Sequence, residues 1–432
     1  MIDAAPISVV IASHGRPHDL LRCVTALGFQ NHPSFEVIVV ADGAGLSALS
    51  GHPGAGAIKS LRFDTENLAR ARNLGAATAA GTVLAFIDDD AVPEPTWLSH
   101  LAASFDASGA AAVVGAVRGR NGISFQSFAP WIDRHGFTRD PGPGEDPRQA
   151  PAPGFVPKLV GTNMAIRTAT FRDLGGFDEA YRFYLEDADL ALRIAAVGSQ
   201  VVHAPDAQVH HGFAASPRRT SERCPRSLHD NGRSLAIYLR KHGDPDELMR
   251  VVDSVRQDER RRALTHVVRG SCEPDAVPRL LADFDRGLAE GMACPISCHP
   301  PAGTAGDFRP FPGLSPGAEV HLLAGWPWQR AALSARAAEL AGAGHIATLV
   351  TLGPTAVYHR VGFDSDGFWF QTGGIFGRAE RHEPLFQIAA FASRVQREWL
   401  RVKPLRSVPA ATFQTQLRWI RHHLEGETPG VP

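Results

Sequence analysis

The first ninety residues alternate between short apolar runs and stretches of helical periodicity. The apolar runs Ile7–Ala12, Phe35–Ala41 and Thr82–Ile87 predict buried strands. The stretches between them, His18–Leu27 and Asn67–Ala80, predict helices. Strands that alternate with helices predict a parallel sheet, and ligands of such sheets bind at the carboxyl ends of the strands.

The middle of the chain is less regular. Residues 43–57 are rich in Gly, Ser and Ala and predict a loop, and residues 138–157 are rich in Pro and Gly. The second stretch is long for a loop, which fits either an active-site lid or a disordered insertion. A strong helical pattern covers Glu186–Val197, residues 218–292 are mainly helical, and residues 295–318 have the composition of a linker.

The tail has a second strand and helix pattern. It predicts a strand at Glu319–Ala324, a helix at Trp328–Ala343, an apolar strand at Ile346–Leu352, a hairpin at Val361–Phe376 and a helix from about Glu383 to Val402. We therefore expect an α/β protein of three parts: a mostly parallel, Rossmann-like N-terminal domain over 1–215, a helical extension and linker over 216–300, and a small α/β accessory domain over 301–432.

Composition and charge narrow the class of protein. Forty-four basic and 45 acidic residues give a net charge of −1, which argues against a nucleic-acid-binding protein. No apolar run reaches the roughly 18 residues that cross a bilayer. The first residues, Met1-Ile2-Asp3, lack the features of a signal peptide, so we expect a cytoplasmic protein.

Three adjacent acids, Asp88-Asp89-Asp90, directly follow a predicted buried strand. Their mutual repulsion would be relieved by a divalent cation, and carboxylates suit Mg²⁺ or Mn²⁺. A solvated acidic turn that caps the next helix explains the same residues equally well.

Three further acidic residues are candidates because of where they lie relative to the predicted strands and helices. Asp42 ends the strand before this cluster; it fits a common Asp-Gly turn or a hydrogen-bond acceptor for a base or ribose. Glu186 and Asp187 begin a predicted helix, where acidic side chains interact favourably with the helix dipole. Alternatively, one of the two carboxylates acts as a general base. Asp189 and Arg193 have the spacing of a structural ion pair.

Five stretches within residues 5–213 resemble, in order, the family 2 glycosyltransferases, which have the GT-A fold. The stretches are ISVVIASHGRPHDLLRCV, FEVIVVADG, NLARARNLGAATAAGTVLAFIDDDAVPEPTWL, GTNMAIRTATFRDLGGFDEAYRFYLEDADLALRIAAVG and HAPDAQVHH. Each stretch alone is a weak resemblance, but five stretches in the family's order over about half of the chain indicate this family.

The resemblance implies roles for particular residues. Asp187 matches the catalytic base, with Glu186 beside it, and Asp90 matches the principal metal ligand of the Asp-x-Asp motif. Asp88 and His210 are implied in the metal shell, with His211 as the rival of His210. The residues implied to bind the nucleotide-sugar are Ala12, His14, Asp42, Arg70, Asn73, Asp88 and Asp89. Those implied on the acceptor side are Gly176, Phe177 and Asp178.

The resemblance also implies a reaction. It is the transfer, with inversion, of a sugar from a nucleoside-diphosphate sugar to an acceptor hydroxyl, as in a hexosyltransferase that uses Mn²⁺ or Mg²⁺. The acceptor would be a glycan or a lipid-linked glycan in polysaccharide or glycoconjugate biosynthesis. Peripheral contact with the inner face of a membrane fits such an acceptor, and the oligomeric state is left open.

Two other functions fit parts of the pattern. A sugar nucleotidyltransferase also uses metal-binding acids, but its first loop is usually Gly-rich, unlike the short Ser13–Pro17 turn. A non-catalytic sugar-binding or partner-binding module would need neither Asp90 nor Asp187.

Several weaker signals favour ordinary structural roles. Cys294, Cys298 and His299 lack the fourth ligand of a zinc site. The aromatic residues 368–370, with Trp326 and Trp328, fit core packing better than a sugar-stacking platform. The run Arg260–Arg262 fits a solvated helix face better than contact with an anionic membrane.

Overall fold

A computed structural model describes residues 5–141, 146, 151–214, 216, 218–220, 222–296 and 306–407. The chain divides into two compact units. The first comprises Met1–Arg120 and Phe125–Gly313, and the second Asn121–Ser124 and Leu314–Pro432. The helices of 216–300 fall within the first unit; the proposed division at 215 and 300 stays a prediction.

The first unit is built on a nine-stranded sheet. Its strands are β1 Ile7–Ser13, β2 Phe35–Ala41, β3 Ile58–Arg62, β4 Val83–Asp88, β5 Ala91–Pro93, β6 Ala112–Arg118, β7 Phe125–Ser127, β11 Asn163–Arg167 and β12 Val201–His211. Their order is β3-β2-β1-β4-β11-β6-β12-β5, with β7 beside β6. Strands β11, β5 and β7 run antiparallel to their neighbours and the other six share one direction, which confirms the expected mostly parallel α/β sheet.

Shorter strands and nine helices complete the described part of this unit. Strands β8 Trp131–Asp133, β9 Thr138–Arg139 and β10 Phe155–Pro157 form a small sheet. The helices are α1 Pro17–Leu27, α2 Gly43–Leu49, α3 Leu68–Ala77, α4 Trp97–Ser108, α5 Thr168–Asp173, α6 Glu186–Ala196, α7 His229–His242, α8 Leu248–Val268 and α9 Ala276–Ala293. Residues 142–145 and 147–150 of the proposed lid, and Cys298 and His299, lie outside the described residues.

The apolar runs are continuous because the large sheet is covered on both faces. Val9 and Val37 pack in one cluster with side chains of α1 and α4, whereas Val10 and Ile38 pack in another with side chains of α3 and α6. Successive residues of a strand point to opposite faces, so every position of β2 is buried.

One expected loop contains a helix. Residues 43–57 were predicted from their Gly, Ser and Ala content to be a loop, but α2 forms at their start. The Asp42 side chain accepts a 2.8 Å hydrogen bond from the Gly45 backbone N–H and so caps this helix. The cap outweighs the low helix propensity of the sequence behind it.

The second unit has its own sheet. Strands β13 Val320–Gly325, β14 Ile346–Gly353, β15 Arg360–Phe363 and β16 Trp369–Gly374 are arranged in the order β13-β14-β16-β15, with only β15 antiparallel. Its helices are α10 Arg330–Gly342 and α11 Phe391–Val402. The expected helix from residue 383 begins only at Phe391, and the Glu383 carboxylate instead accepts backbone N–H groups of the preceding turn. Phe368 and Trp369 are buried, as core packing predicted, whereas Trp328 is exposed.

No helix in the described part of the chain is both long and apolar enough to cross a bilayer.

The helical region joins the sheet domain through a buried carboxylate. Asp189 of α6 is fully buried, and its oxygens lie 2.8 Å from Arg193 Nε, 2.6 Å from Lys241 Nζ and 2.8 Å from His242 Nε2. Burial alone would raise the pKa of Asp189, but the hydrogen bond with His242 and the charges of Arg193 and Lys241 outweigh burial and hold the pKa well below its usual range.

We expect Asp189→Asn to lower the free energy of unfolding by about 3 kcal/mol at neutral pH, because it leaves buried cations without their counter-charge. The depressed pKa makes the stabilisation complete above about pH 4 and lost as pH falls further, so the gap between wild type and variant should close in acid. Urea denaturation measures both. Asp258→Asn, at an exposed ion pair with Arg261, is the control and should change stability by less than about 0.5 kcal/mol. An equal effect of the two substitutions would contradict this account.

Candidate active site

A cavity of about 350 Å³ opens at the carboxyl end of the large sheet. Strands β1 and β4 are paired in register, with Ala12 opposite Asp88, so the ends of both strands reach the same wall. The residues proposed from the sequence that line it are Ala12, His14, Asp88, Asp90, Glu186, Asp187 and the alternative His211. The structure therefore brings the Asp-x-Asp and Glu-Asp motifs to one space, although about a hundred residues separate them.

Three side chains of this cavity have the arrangement of a metal site. Asp88, Asp90 and His211 each offer one ligand atom, and these atoms lie within 4.8 Å of one another. His211 Nε2 is 3.2 Å from Asp90 Oδ1, and its Nδ1 lies 2.8 Å from Gln126 Oε1. Burial alone would raise the pKa of Asp90, but His211 and Arg16 outweigh burial and lower it. The contacts with Asp90 and Gln126 orient the His211 ring, with Nε2 toward the acids.

The histidine beside the acids is not the one proposed first. His210 Nε2 lies 2.8 Å from Glu94 Oε1, away from the acidic cluster. His210 and His211 are consecutive in β12, so their side chains point to opposite faces of the strand. The assignment of His210 to the metal shell is therefore corrected to His211, a distinction that the sequence alone did not make.

Asp89 faces inward and does not line the cavity. It is fully buried, accepts a 2.7 Å hydrogen bond from Ser13 Oγ, and its Oδ1 lies 2.7 Å from Arg16 Nη2. Burial raises the pKa of Asp89 to about 8 against the opposing charge of Arg16. Of the three adjacent acids, Asp89 thus ties the first loop to the cluster, and its proposed contact with a nucleotide stays a prediction.

The Glu-Asp pair is presented by a strained turn. Tyr184 and Leu185 have φ of 74° and 68°, in the left-handed region that non-glycine residues avoid. After this turn Asp187 lines the cavity; its Oδ2 accepts a 2.8 Å hydrogen bond from the Gly161 N–H and its Oδ1 one of 2.7 Å from the Ala188 N–H. Two donors thus fix the carboxylate in place.

Glu186 has a different environment from its neighbour. Its side chain is buried, and burial together with the charge of Asp187 raises the pKa of Glu186 to about 7. Its Oε1 accepts a 2.8 Å hydrogen bond from Arg72, whereas Oε2 has no hydrogen-bond partner among the described residues. The more accessible Asp187 is therefore the better placed of the two to meet a substrate.

Arg72 connects the two motifs and was not among the proposed residues. Its buried guanidinium donates to Glu186 through Nη1 and to Asp88 Oδ1 through Nη2, at 2.8 and 2.9 Å. Thr162 Oγ1 donates to the other Asp88 oxygen at 2.6 Å. The sequence held a signal for it, because Arg72 directly precedes the proposed Asn73. The proposed Arg70 is exposed on the outer side of α3, where its nearest acid is Glu179 at 3.8 Å.

The residues proposed on the acceptor side are buried behind the cavity. Asn73 accepts from the Phe177 N–H at 2.9 Å and donates to the Phe177 carbonyl at 2.8 Å. The Phe177 ring packs against Phe86, and Asp178 Oδ2 lies 2.9 Å from Lys241 Nζ. The Gly176 carbonyl accepts a hydrogen bond from Arg193. In this structure Asn73, Gly176, Phe177 and Asp178 hold neighbouring loops together and do not line the cavity.

The first loop is fixed by Asp42, which lies just outside the cavity. Asp42 Oδ2 accepts a 2.7 Å hydrogen bond from the Gly15 N–H, and His14 Nδ1 lies 3.8 Å away. His14 and Ala12 themselves line the cavity. Asp42 therefore positions the loop that carries His14.

Four cations on the cavity wall were also missed: Lys158, Arg182, Arg218 and Arg219. Arg218 and Arg182 have carboxylate partners, Asp230 and Glu290 respectively. Among the described residues, no carboxylate lies within ion-pairing distance of Lys158 or Arg219, so both bring uncompensated positive charge to the cavity. Arg218 and Arg219 were not predicted as cavity residues, because residues 218–292 were expected to be mainly helical, whereas α7 begins only at residue 229.

Known proteins resemble this chain over part of its length. Residues 8–175 match the sequence model of Glycosyl transferase family 2. N-acetylglucosaminyl-diphospho-decaprenol L-rhamnosyltransferase of Mycobacterium tuberculosis is 34% identical over 95 residues, 22% of this chain and 26% of that protein. Pre-mycofactocin glycosyltransferase of the same species is 31% identical over 223 residues, 48% of this chain and 42% of that protein. This chain thus spans less than half the length of either relative.

Solved structures show a weaker likeness. GalNAc-T7 with UDP, GalNAc and Mn²⁺ is 19% identical, with a TM-score of 0.43 over 59% of this chain and 55% of that one. The family match includes Asp42 and the Asp88–Asp90 cluster, whereas Glu186, Asp187 and His211 lie beyond its last residue. Over residues 8–175 the chain thus resembles glycosyltransferase family 2, as the sequence motifs predicted.

Proposed function

We propose that this protein transfers a sugar from a nucleoside-diphosphate sugar to an acceptor hydroxyl with inversion at the anomeric carbon. One observation carries the proposal: the Asp88, Asp90 and His211 triad and the accessible carboxylate of Asp187 line the same cavity. A direct displacement needs both a site for the leaving diphosphate and a base for the incoming hydroxyl.

The triad fits a divalent cation by its chemistry. Two carboxylates and one imidazole suit Mn²⁺, and the carboxylates alone suit Mg²⁺. Asp90 Oδ1 is buried and lies 3.2 Å from His211 Nε2, so one ion could take both atoms as ligands. When bound there, the ion would supply charge neutralisation for the leaving diphosphate. Lys158 and Arg219 add positive charge around the same cavity.

Asp187 is the proposed general base. Its two backbone hydrogen bonds hold the carboxylate at the cavity wall, where it accepts the proton of the acceptor hydroxyl as that oxygen attacks the anomeric carbon. Arg72 compensates the charges of Glu186 and Asp88, which would otherwise repel the Asp187 carboxylate.

The acceptor class is inferred from the relatives. The rhamnosyltransferase named above carries a diphospho-decaprenol in its name, and a further relative is named a glucosyl-dolichyl phosphate glucuronosyltransferase. We infer a glycan or lipid-linked glycan acceptor, and a role in polysaccharide or glycoconjugate biosynthesis in the cytoplasm.

We expect one nucleoside diphosphate among UDP, GDP and dTDP to bind in the presence of Mn²⁺, and expect Asp90→Asn to abolish the metal-dependent part of that binding, because the substitution removes a ligand charge. Isothermal titration calorimetry, with CMP as the mononucleotide comparison, measures this. Asp258→Asn is the control and should bind like the wild type. Absence of binding to all four nucleotides, with or without metal, would favour a non-catalytic module instead.

We expect Asp187→Asn to lower kcat by roughly 10²–10⁴-fold while nucleotide affinity stays within twofold, because only proton transfer is lost. Steady-state transfer assays and calorimetry separate the two effects. The anomeric configuration of the product, measured by NMR, should be opposite to that of the donor. Retained configuration, or an unchanged kcat, would refute the assignment.

Arg72 acts as a positioning residue in this scheme. Arg72→Lys keeps a positive charge but cannot donate to two carboxylates at once, so we expect kcat to fall at least about tenfold with little change in KM. Losing the full guanidinium contact should also raise the pKa of Glu186 and move the pH profile of kcat. The matched control is Arg70→Lys on the exposed side of the same helix, which should leave both unchanged; a similar effect of the two variants would count against the role of Arg72.

A further inference from the structure

The second unit exposes an apolar surface at one edge of its sheet. Strands β13, β14 and β16 are parallel, so the segments that follow their carboxyl ends lie at the same edge. Ile388 is 91% exposed and Trp328 71% exposed, and the other four side chains are each more than half exposed. We name this set the apolar edge; its members are Trp328, Val357, Tyr358, Leu385, Phe386 and Ile388.

The apolar edge is held in place by ordered contacts. The Trp328 ring stacks on Trp326 with centroids 5.4 Å apart, and Trp326 contacts Phe391 at the start of α11. Phe386 stacks on Phe376 at 5.4 Å.

The loops of this edge are also joined through their backbones. The Gln387 N–H donates to the Phe376 carbonyl at 2.9 Å, and the His359 N–H donates to the Arg378 carbonyl at 3.1 Å. The exposed side chains therefore project from loops that are fixed to one another, and a large exposed apolar patch of this kind marks an interaction surface.

Two arginines beside the apolar edge have no carboxylate partner. The Arg378 guanidinium lies over the Tyr358 ring at 4.5 Å, and Arg381 is exposed. Among the described residues, no carboxylate lies within ion-pairing distance of either arginine. Arg397 is exposed as well, but it lies 3.8 Å from Glu383. A partner with negative charge beside an apolar interior complements this surface.

We propose that the apolar edge docks onto the surface of an anionic lipid bilayer. Trp and Tyr favour the boundary between headgroups and hydrocarbon, where the apolar ring and the polar group are both satisfied. Arginines at such a boundary are attracted by acidic headgroups. The fully projecting Ile388 and its neighbours Leu385 and Phe386 enter the apolar layer.

The other basic candidate for membrane contact is already neutralised. In α8, Arg261 pairs with Asp258, and Arg262 lies 3.3 Å from Glu259. The run Arg260–Arg262 is thus a solvated helix face, and the second unit supplies the proposed contact. The benefit of docking for a lipid-linked acceptor rests on the proposed function, but docking itself requires neither donor nor metal.

The test is co-sedimentation of the full chain with vesicles, without nucleotide. The wild type should bind vesicles of phosphatidylcholine mixed with phosphatidylglycerol more tightly than vesicles of phosphatidylcholine alone, and added salt should weaken the binding. The double variant Trp328→Ser/Ile388→Ser should reduce binding at least tenfold, because two apolar side chains no longer enter the bilayer. Leu400→Ser, at a comparably exposed residue near the other end of α11, is the matched control and should bind like the wild type.

Other outcomes would overturn the proposal. These are absence of binding to either vesicle, unchanged binding by the double variant, or equal loss in Leu400→Ser. A concentration-dependent dimer that disappears in the double variant, without vesicle binding, would identify a second copy of the chain as the occupant. Nucleotide calorimetry on the same preparations tests the transferase proposal separately, so a failure of either proposal is recognisable on its own.

Discussion

The bridge made by Arg72 is the contact on which the candidate site depends. Asp88 lies at the end of a strand and Glu186 at the start of a helix, and their negative charges would repel each other across the cavity. One buried guanidinium donates to both and sets the separation of the two acidic motifs. Arginine suits this position because its planar group donates in two directions while staying charged when buried.

The fold of the first unit was largely readable from the sequence. Strands covered on both faces become continuous apolar runs, so β1, β2 and β4 were found with ends within one residue of those observed. Helix α2 was missed because its stability comes from one side-chain cap and not from propensity. The predicted start of α11 at residue 383 was wrong, because the Glu383 carboxylate closes the turn before it and the helix begins only at Phe391.

The sequence identified residues of the cavity wall only where they belong to a recognisable motif. Asp88 and Asp90 lie at and just beyond the end of β4, and Glu186 and Asp187 begin α6, so their place follows from the ends of these elements. The choice between His210 and His211 depends on which face of β12 each occupies, and that depends on the register with neighbouring strands. Lys158 and Arg219 stand in irregular segments where no periodicity indicates direction, so only coordinates could place them.

The turn before Glu186 costs folding stability but fixes the direction of the Asp187 carboxylate. Two consecutive non-glycine residues in the left-handed region cost roughly 1–2 kcal/mol each, a cost that the surrounding packing must offset. Glycine at position 184 or 185 would remove that strain, yet it would also free the torsions that aim the Asp187 carboxylate. A more stable protein and a precisely oriented base therefore place opposite demands on the residues of this turn. The two bulky residues that occupy the turn meet the second of these demands.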